Sequence, residues 1–189
     1  MNEMDFFANY LKNVDCLIKN FDSSALLPVV KILREAKTRD ATIFMAGNGG
    51  SAAICSHLAL DLSKNARRKG ERGFKVQSLT ESVPLFTAWA NDTDFSMIFV
   101  GQLETNARAG DVLLIVSSSG NSSNVVKAAE YAKRKGLTVV SFTGFDGGKL
   151  KQISDYCVHI KMNEYGPVED VHALLLHAVA FYFKQENGG

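Results

Sequence analysis

Two short stretches of this sequence combine glycine, serine and asparagine in a way that suits an anionic ligand. The first, Gly47-Asn48-Gly49-Gly50-Ser51-Ala52, follows an apolar run and opens a helical pattern. Glycines lacking a Cβ let the backbone close on a ligand, and the free N–H groups of a helix start point at it. The stretch also fits the GxGxxA spacing of a dinucleotide loop, but the acidic residue due about 20 positions later has no counterpart, Glu81 being too distant. The second stretch, Ser117-Ser118-Ser119-Gly120-Asn121-Ser122-Ser123, holds five serines in seven residues. One or two serines would serve as helix caps. Five hydroxyls beside unsatisfied N–H groups make a neutral, multidentate cradle that matches a phosphate ester.

A third feature is His57 with Asp61, four residues apart and so on one face of a helix. That spacing serves two ligands of one metal ion, an acid/base pair on one substrate, or, more plainly, a hydrogen bond on a solvated face. Its place about two turns beyond the first loop favours a chemical role. Glu169, His172 and His177 add possible ligands from the last helical pattern, whereas His159 lies in an apolar run and reads as structural.

These groups need elements to hold them. Phe6, Phe7, Tyr10, Leu11, Val14, Leu17 and Ile18 recur at helical spacing from Met4 to about Lys19, and a second helix follows Ser23 and Ser24. Continuous apolar runs at 41–47, 74–79, 111–119, 137–144 and 155–161 predict strands buried on both faces. Helical patterns at 51–64, 82–90, 94–107, 121–135 and 168–184 separate or follow them, so the order implies parallel βαβ units. The expected fold is an α/β three-layer sandwich with a five-stranded parallel sheet and an N-terminal helical extension. A single domain over 1–189 is expected, residues 1–38 acting in oligomerisation and the last four forming a frayed tail.

Composition narrows the function classes. Of 189 residues, 46% are hydrophobic and 22% charged, and no run approaches the roughly 18 apolar residues of a membrane span. Lys plus Arg number 21 against 20 Asp plus Glu, a formal charge of +1, so no overall field draws nucleic acid or anionic lipid. The basic stretch Lys64, Arg67, Arg68, Lys69 and Arg72 reads as a solvated loop. Acidic residues near the N-terminus, where a secretory signal would be basic, point to a cytoplasmic protein. Cys16, Cys55 and Cys157 are far apart and form no CxxC, which reads as three buried free thiols.

Together the loops GNGGSAA and SSSGNS, Ala90-Asn91-Asp92, GDVLLIVSSSGNSSNVVKA and TGFDGGKL resemble the SIS (sugar isomerase) family, and within it the sedoheptulose 7-phosphate isomerases, also called phosphoheptose isomerases. The resemblance spans nearly the whole chain. It implies an aldose-ketose isomerase in which the serine loop holds a sugar phosphate and zinc assists proton transfer through an enediol. By position it assigns the metal ligands to His57, Asp61, Glu169 and His177. It assigns the substrate site to Asn48, Gly49, Gly50, Ser51, Asn91, Asp92, Ser117, Ser118, Ser119, Ser122 and Glu169. Asp61 would be the catalytic base and His177 the acid. It further implies a homo-oligomer, with a tetramer expected.

The chain departs from the family pattern where Asp61 replaces a Glu and Glu169 replaces a Gln, and where Lys64 is followed by Asn65 instead of a basic residue. Losing a methylene moves a carboxylate by about 1.5 Å, the scale on which misplacement costs ~100-fold in rate. The replacement at 169 adds negative charge, which favours a divalent cation. The other reading is a non-catalytic SIS adaptor resembling the replication-initiator-binding protein DiaA. Finally, Glu169 and His177 are eight residues apart, ~12 Å of helical rise and roughly 80° in direction. Either Glu169 precedes the helix, with Pro167 marking its start, or the two serve sites built from different chains.

Overall fold

The computed structural model describes residues 2–186. Its order is α1 (Glu3–Lys19), α2 (Leu27–Thr38), β1 (Ile43–Ala46), α3 (Gly49–Leu60), β2 (Val76–Ser78), α4 (Val83–Asp92), α5 (Val100–Asn106), β3 (Val112–Ser117), α6 (Ser123–Lys135), β4 (Thr138–Thr143), α7 (Gly148–Ile153), β5 (Tyr156–His159) and α8 (Tyr165–Glu186). A π-helical turn, Asp61–Asn65, extends α3. All five expected strands are present, each shorter than its apolar run because the flanking residues form the turns. The one helix the sequence pattern missed is α7, six residues long and too short to show a period. Of the tail expected over 186–189, Glu186 closes α8 and the rest lies outside the described residues.

The sheet runs β2-β1-β3-β4-β5 with every neighbouring pair parallel. All of β3 is buried, which explains why its sequence is continuously apolar instead of alternating. Ile43, Met45, Leu114, Val116 and Phe142 face a core closed by α2, α3 and α8. Phe44, Leu113, Ile115 and Val139 face the opposite core, to which α5, α6 and α7 contribute. The alternation of successive strand residues between the two cores is the period of two expected of a sheet sandwiched between helices.

The two N-terminal helices differ. Val29, Val30, Leu33 and Ala36 of α2 are buried, so α2 is part of the first core and not an appendage. No residue of α1 is buried. It lies along α8, where the Tyr10 hydroxyl donates to Asp170 at 2.6 Å, while Val14 and Leu17 pack on the core. Met4, Phe7 and Leu11 are 78%, 62% and 68% exposed. Among the described residues no helix is long and apolar enough to cross a membrane.

The topology decides where a ligand can sit. Chain order reverses between β1 and β3, since β1 leads outward to β2 while β3 leads to β4 on the other side. Crevices of open parallel sheets lie at such switch points, beyond the carboxyl ends of the strands. The glycine loop leaves β1 and the serine loop leaves β3, so both flank this crevice.

Candidate active site

The two loops are tied to one another. Asn48, which precedes α3, and Asn124, in the first turn of α6, exchange amide hydrogen bonds at 2.9 and 2.8 Å. The side chain of Asn48, which the resemblance assigns to the substrate site, braces the crevice in this way. In the serine loop, Ser117 Oγ accepts from Gly120 N and Ser119 Oγ from Asn121 N, both at 3.3 Å. Ser118 Oγ is buried with no hydrogen-bond partner, and the hydroxyls of Ser117 and Ser119, which only accept here, also keep their donors free. Ser122 caps α6 without a side-chain bond. Gly120 has φ 65°, and a Cβ there would lie 2.1 Å from the Gly147 carbonyl oxygen, so the tight turn requires glycine.

Glu169 belongs to the glycine loop. Its Oε1 is 3.5 Å from Ser51 Oγ, and a Cβ on Gly50 would come within 2.2 Å of its Oε2. The Glu169 carboxylate thus lies directly across Gly50. Asn91 and Asp92 end α4, are exposed, and hydrogen-bond to each other at 2.9 Å. From the same segment it is Phe86, with Phe95 and Ile98, that lines a cavity of about 410 Å³ together with Asn48, Gly49, Ser56 and Thr80. Ser56 and Thr80 of this wall are linked behind it through the buried Ser78, with both gaps 3.1 Å. Sequence spacing held no sign of this link, since its members come from α3, β2 and the turn after β2.

At the far end of α3 three side chains converge. Nε2 of His57 and Nε2 of His177 are 3.2 Å apart, and Asp61 Oδ2 is 3.8 Å from the first and 3.4 Å from the second. Asp61 is buried at 2% exposure. Its Oδ1 accepts from Asn65 Nδ2 at 2.7 Å, a bond the π-turn makes possible, while Oδ2 accepts no hydrogen bond. Asn65 thus orients the carboxylate, a role invisible in a sequence where it stands only as the neighbour of Lys64. A buried carboxylate oxygen without a donor, facing two imidazole nitrogens, is costly unless a cation completes the group. The three atoms are separated by about the ~3.3 Å edge of a tetrahedron whose metal bonds are ~2.0–2.1 Å. Two imidazoles and a carboxylate are a donor set that zinc accepts. These residues therefore fit the metal.

Within one chain Glu169, expected as a metal ligand, lies inside α8 against Ser51, two turns from His177, and does not join the cluster of His57, Asp61 and His177. Pro167 sits in the first turn of that helix and not ahead of it. The alternative in which different chains supply the site is unnecessary for the histidines, because His57, Asp61 and His177 meet within one chain. His172, counted as a possible ligand, is buried on the sheet side of α8 and hydrogen-bonds Thr143 O at 3.2 Å. Of the three cysteines, all free, Cys55 is buried, Cys157 half-buried and Cys16 exposed, so the reading of three buried thiols holds only for the first. Arg68 and Arg72 pair with Glu71 and Asp40 on an exposed loop, as a solvated stretch should.

A smaller cavity of about 170 Å³, lined by Ile54, Leu58, Ala173 and Leu176, lies beside His57 and His177. It adjoins the larger one at Ala53, which lines both. Both cavities lie along α3, one at the glycine loop and one at the histidines.

Residues 7–144 match the model of the SIS domain. The chain is 36% identical over 171 residues to the phosphoheptose isomerase of Helicobacter pylori (strain P12), covering 89% of this chain and 88% of that one. The chain belongs to the phosphoheptose isomerase family of SIS-domain proteins. Against the phosphoheptose isomerase of Rhodospirillum rubrum the identity is 34% over 165 residues, 86% of this chain and 87% of that one. Among solved structures, phosphoheptose isomerase GmhA from Neisseria gonorrhoeae superposes with a TM-score of 0.85 at 28% identity, covering 96% of each chain. A phosphoheptose isomerase from Francisella tularensis shares the fold with a TM-score of 0.92 at 24% identity, over 98% of this chain and 100% of that one. Relatives bearing the name of an isomerase set aside the adaptor reading.

Proposed function

We propose that the protein interconverts sedoheptulose 7-phosphate and an aldoheptose 7-phosphate by moving a proton between C1 and C2 through an enediol. The observation that carries this is the meeting of His57, His177 and the undonated Asp61 Oδ2 on the helix that the glycine loop opens. The phosphate belongs in the serine loop, where Ser118 Oγ and the first N–H groups of α6 donate to it. The sugar chain runs past Ala53 toward the histidines, with its hydroxyls on Ser56 and Thr80. Glu169, beside Ser51, accepts from a substrate hydroxyl.

His57, Asp61 and His177 would hold zinc, which when bound would supply Lewis-acid polarisation of the substrate carbonyl. Asp61, its Oδ1 occupied by Asn65, takes the carbon-bound proton on Oδ2. Where the metal is held, its polarisation of the carbonyl would replace the proton that a free His177 Nε2 gives to that oxygen, because a metal-bound nitrogen carries none, and the reverse transfers at the neighbouring carbon complete the isomerisation with no net change in protons. Apolar side chains of the smaller cavity, Ile54, Leu58 and Leu176, limit water around the enediol.

A homo-oligomer, with a tetramer expected, belongs to the same proposal and is supported by the apolar face of α1 that the chain leaves uncovered. A cytoplasmic location is proposed with it. The function is tested by turnover of sedoheptulose 7-phosphate by metal-stripped protein before and after zinc is restored. Zinc-dependent formation of the aldose supports the reading, and a well-folded protein that binds the sugar phosphate without converting it refutes the reading.

A further inference from the structure

His172 is fully buried, and one of its two ring nitrogens, Nδ1, has no partner. An apolar residue would fill the same space without stranding a polar atom, so the histidine calls for a reason. Its other nitrogen, Nε2, approaches the Thr143 carbonyl at 3.2 Å. That carbonyl, the last of β4, already accepts from Ile160 N at 2.8 Å, so β5 and α8 are fastened to one oxygen. The next residue, Gly144, donates its N–H to Ser118 O at 2.8 Å, and a Cβ on it would strike Val168 at 2.6 Å. The serine loop, the end of β4 and the first turns of α8 are therefore in direct contact around this point.

The same helix carries Glu169 to the glycine loop and His177 to Asp61 and His57. Elsewhere α8 meets the sheet core through apolar side chains such as Val171, Leu175 and Val179, which resist separation but allow sliding. A hydrogen bond is directional and fixes position along the axis. We propose that His172 is a positioning residue for the isomerase reaction, its bond to the Thr143 carbonyl locking α8, and with it Glu169 and His177, in register with the serine loop.

Burial holds the imidazole neutral, with its pKa lowered to about 4, so Nε2 remains available as a neutral donor throughout the working range. The orphaned Nδ1 has the same origin: a neutral imidazole that donates through Nε2 leaves Nδ1 as a bare acceptor.

The inference rests on the functional reading above, and its test separates the two. His172→Phe keeps a flat aromatic ring, somewhat larger, and removes the donor; His172→Gln keeps a donor of similar reach. Full-length wild type and both variants are compared in turnover of sedoheptulose 7-phosphate, in zinc affinity by chelator competition and in melting temperature. His172→Phe is expected to lower kcat by about 10- to 100-fold, the cost of a displacement on the order of 1 Å. KM and the positions of the pH-rate limbs should stay close to wild type, since His172 touches no substrate. Zinc affinity should fall about 10-fold, because only one of three ligands rides on α8. His172→Gln should restore most of both. The melting temperature of His172→Phe should remain within about 5 °C of wild type, because Thr143 O keeps its bond from Ile160 and a stranded nitrogen is removed. Wild-type kcat and zinc affinity in His172→Phe would overturn the inference. So would equal losses in the Gln variant, or losses that follow a collapse in melting temperature. If wild type itself fails to turn over the sugar, the functional reading fails, and zinc affinity in the three proteins still decides the role of His172.

Discussion

Acidification should destabilise this protein through His172 more than through an exposed histidine. Burial is the main cause of its depressed pKa, and the nearby His159 lowers it further, while the bond to Thr143 acts in the opposite direction. The native value is about 4 against 6.5 for the unconstrained side chain. The unfolded chain therefore binds the proton first, and stability rises with pH between these values. The contribution is complete above pH 6.5 and is lost as the pH falls toward 4. Across the whole window it amounts to about 3 kcal/mol, at ~1.36 kcal/mol per unit, and by pH 5 about 2 kcal/mol has gone. The assay is urea unfolding of wild type and His172→Phe at pH 7.5 and 5.0, with protein concentration held constant so that association does not enter. Relative to the variant, wild type should lose about 2 kcal/mol, or roughly 1 M in midpoint for a slope near 2 kcal/mol/M. Parallel acid sensitivity in the two proteins would refute the argument that a buried neutral imidazole packs between sheet and helix.

Ser118→Ala should weaken binding of the sugar phosphate by about 1 to 3 kcal/mol in calorimetry, since its hydroxyl is buried with no partner in the loop. An unchanged affinity would remove Ser118 from the phosphate site. Mixed oligomers of His57→Ala and His177→Ala subunits should stay inactive, because every chain then carries a damaged cluster. Recovered activity would mean that the two histidines work across an interface. Replacing Phe7 and Leu11 together by Ser should shift the protein to a smaller species in light scattering, since these side chains form the uncovered face of α1.

Much of this molecule was legible in order and pattern. Parallel strands announce themselves because burial on both faces demands continuous apolar runs, and the two loops stood out because anion binding at a helix start uses few residue types. The four-residue spacing of His57 and Asp61 also survives folding, since it lies within one helix. What sequence could not show is which distant groups those residues meet. His177 reaches Asp61 because α8 packs against α3 on one face of the sheet, an arrangement set by side-chain volume across the core. Glu169 resembles a ligand in register, yet helical geometry turns it to Gly50 and Ser51, two turns from the histidines. Asn48 resembles a substrate contact, and only the approach of α6 gives its amide to Asn124. His172 looked like one more ligand, and its burial against Thr143 decided otherwise. Local spacing is carried by the chain, whereas the pairing of helices and the direction of each side chain depend on which faces the core can close.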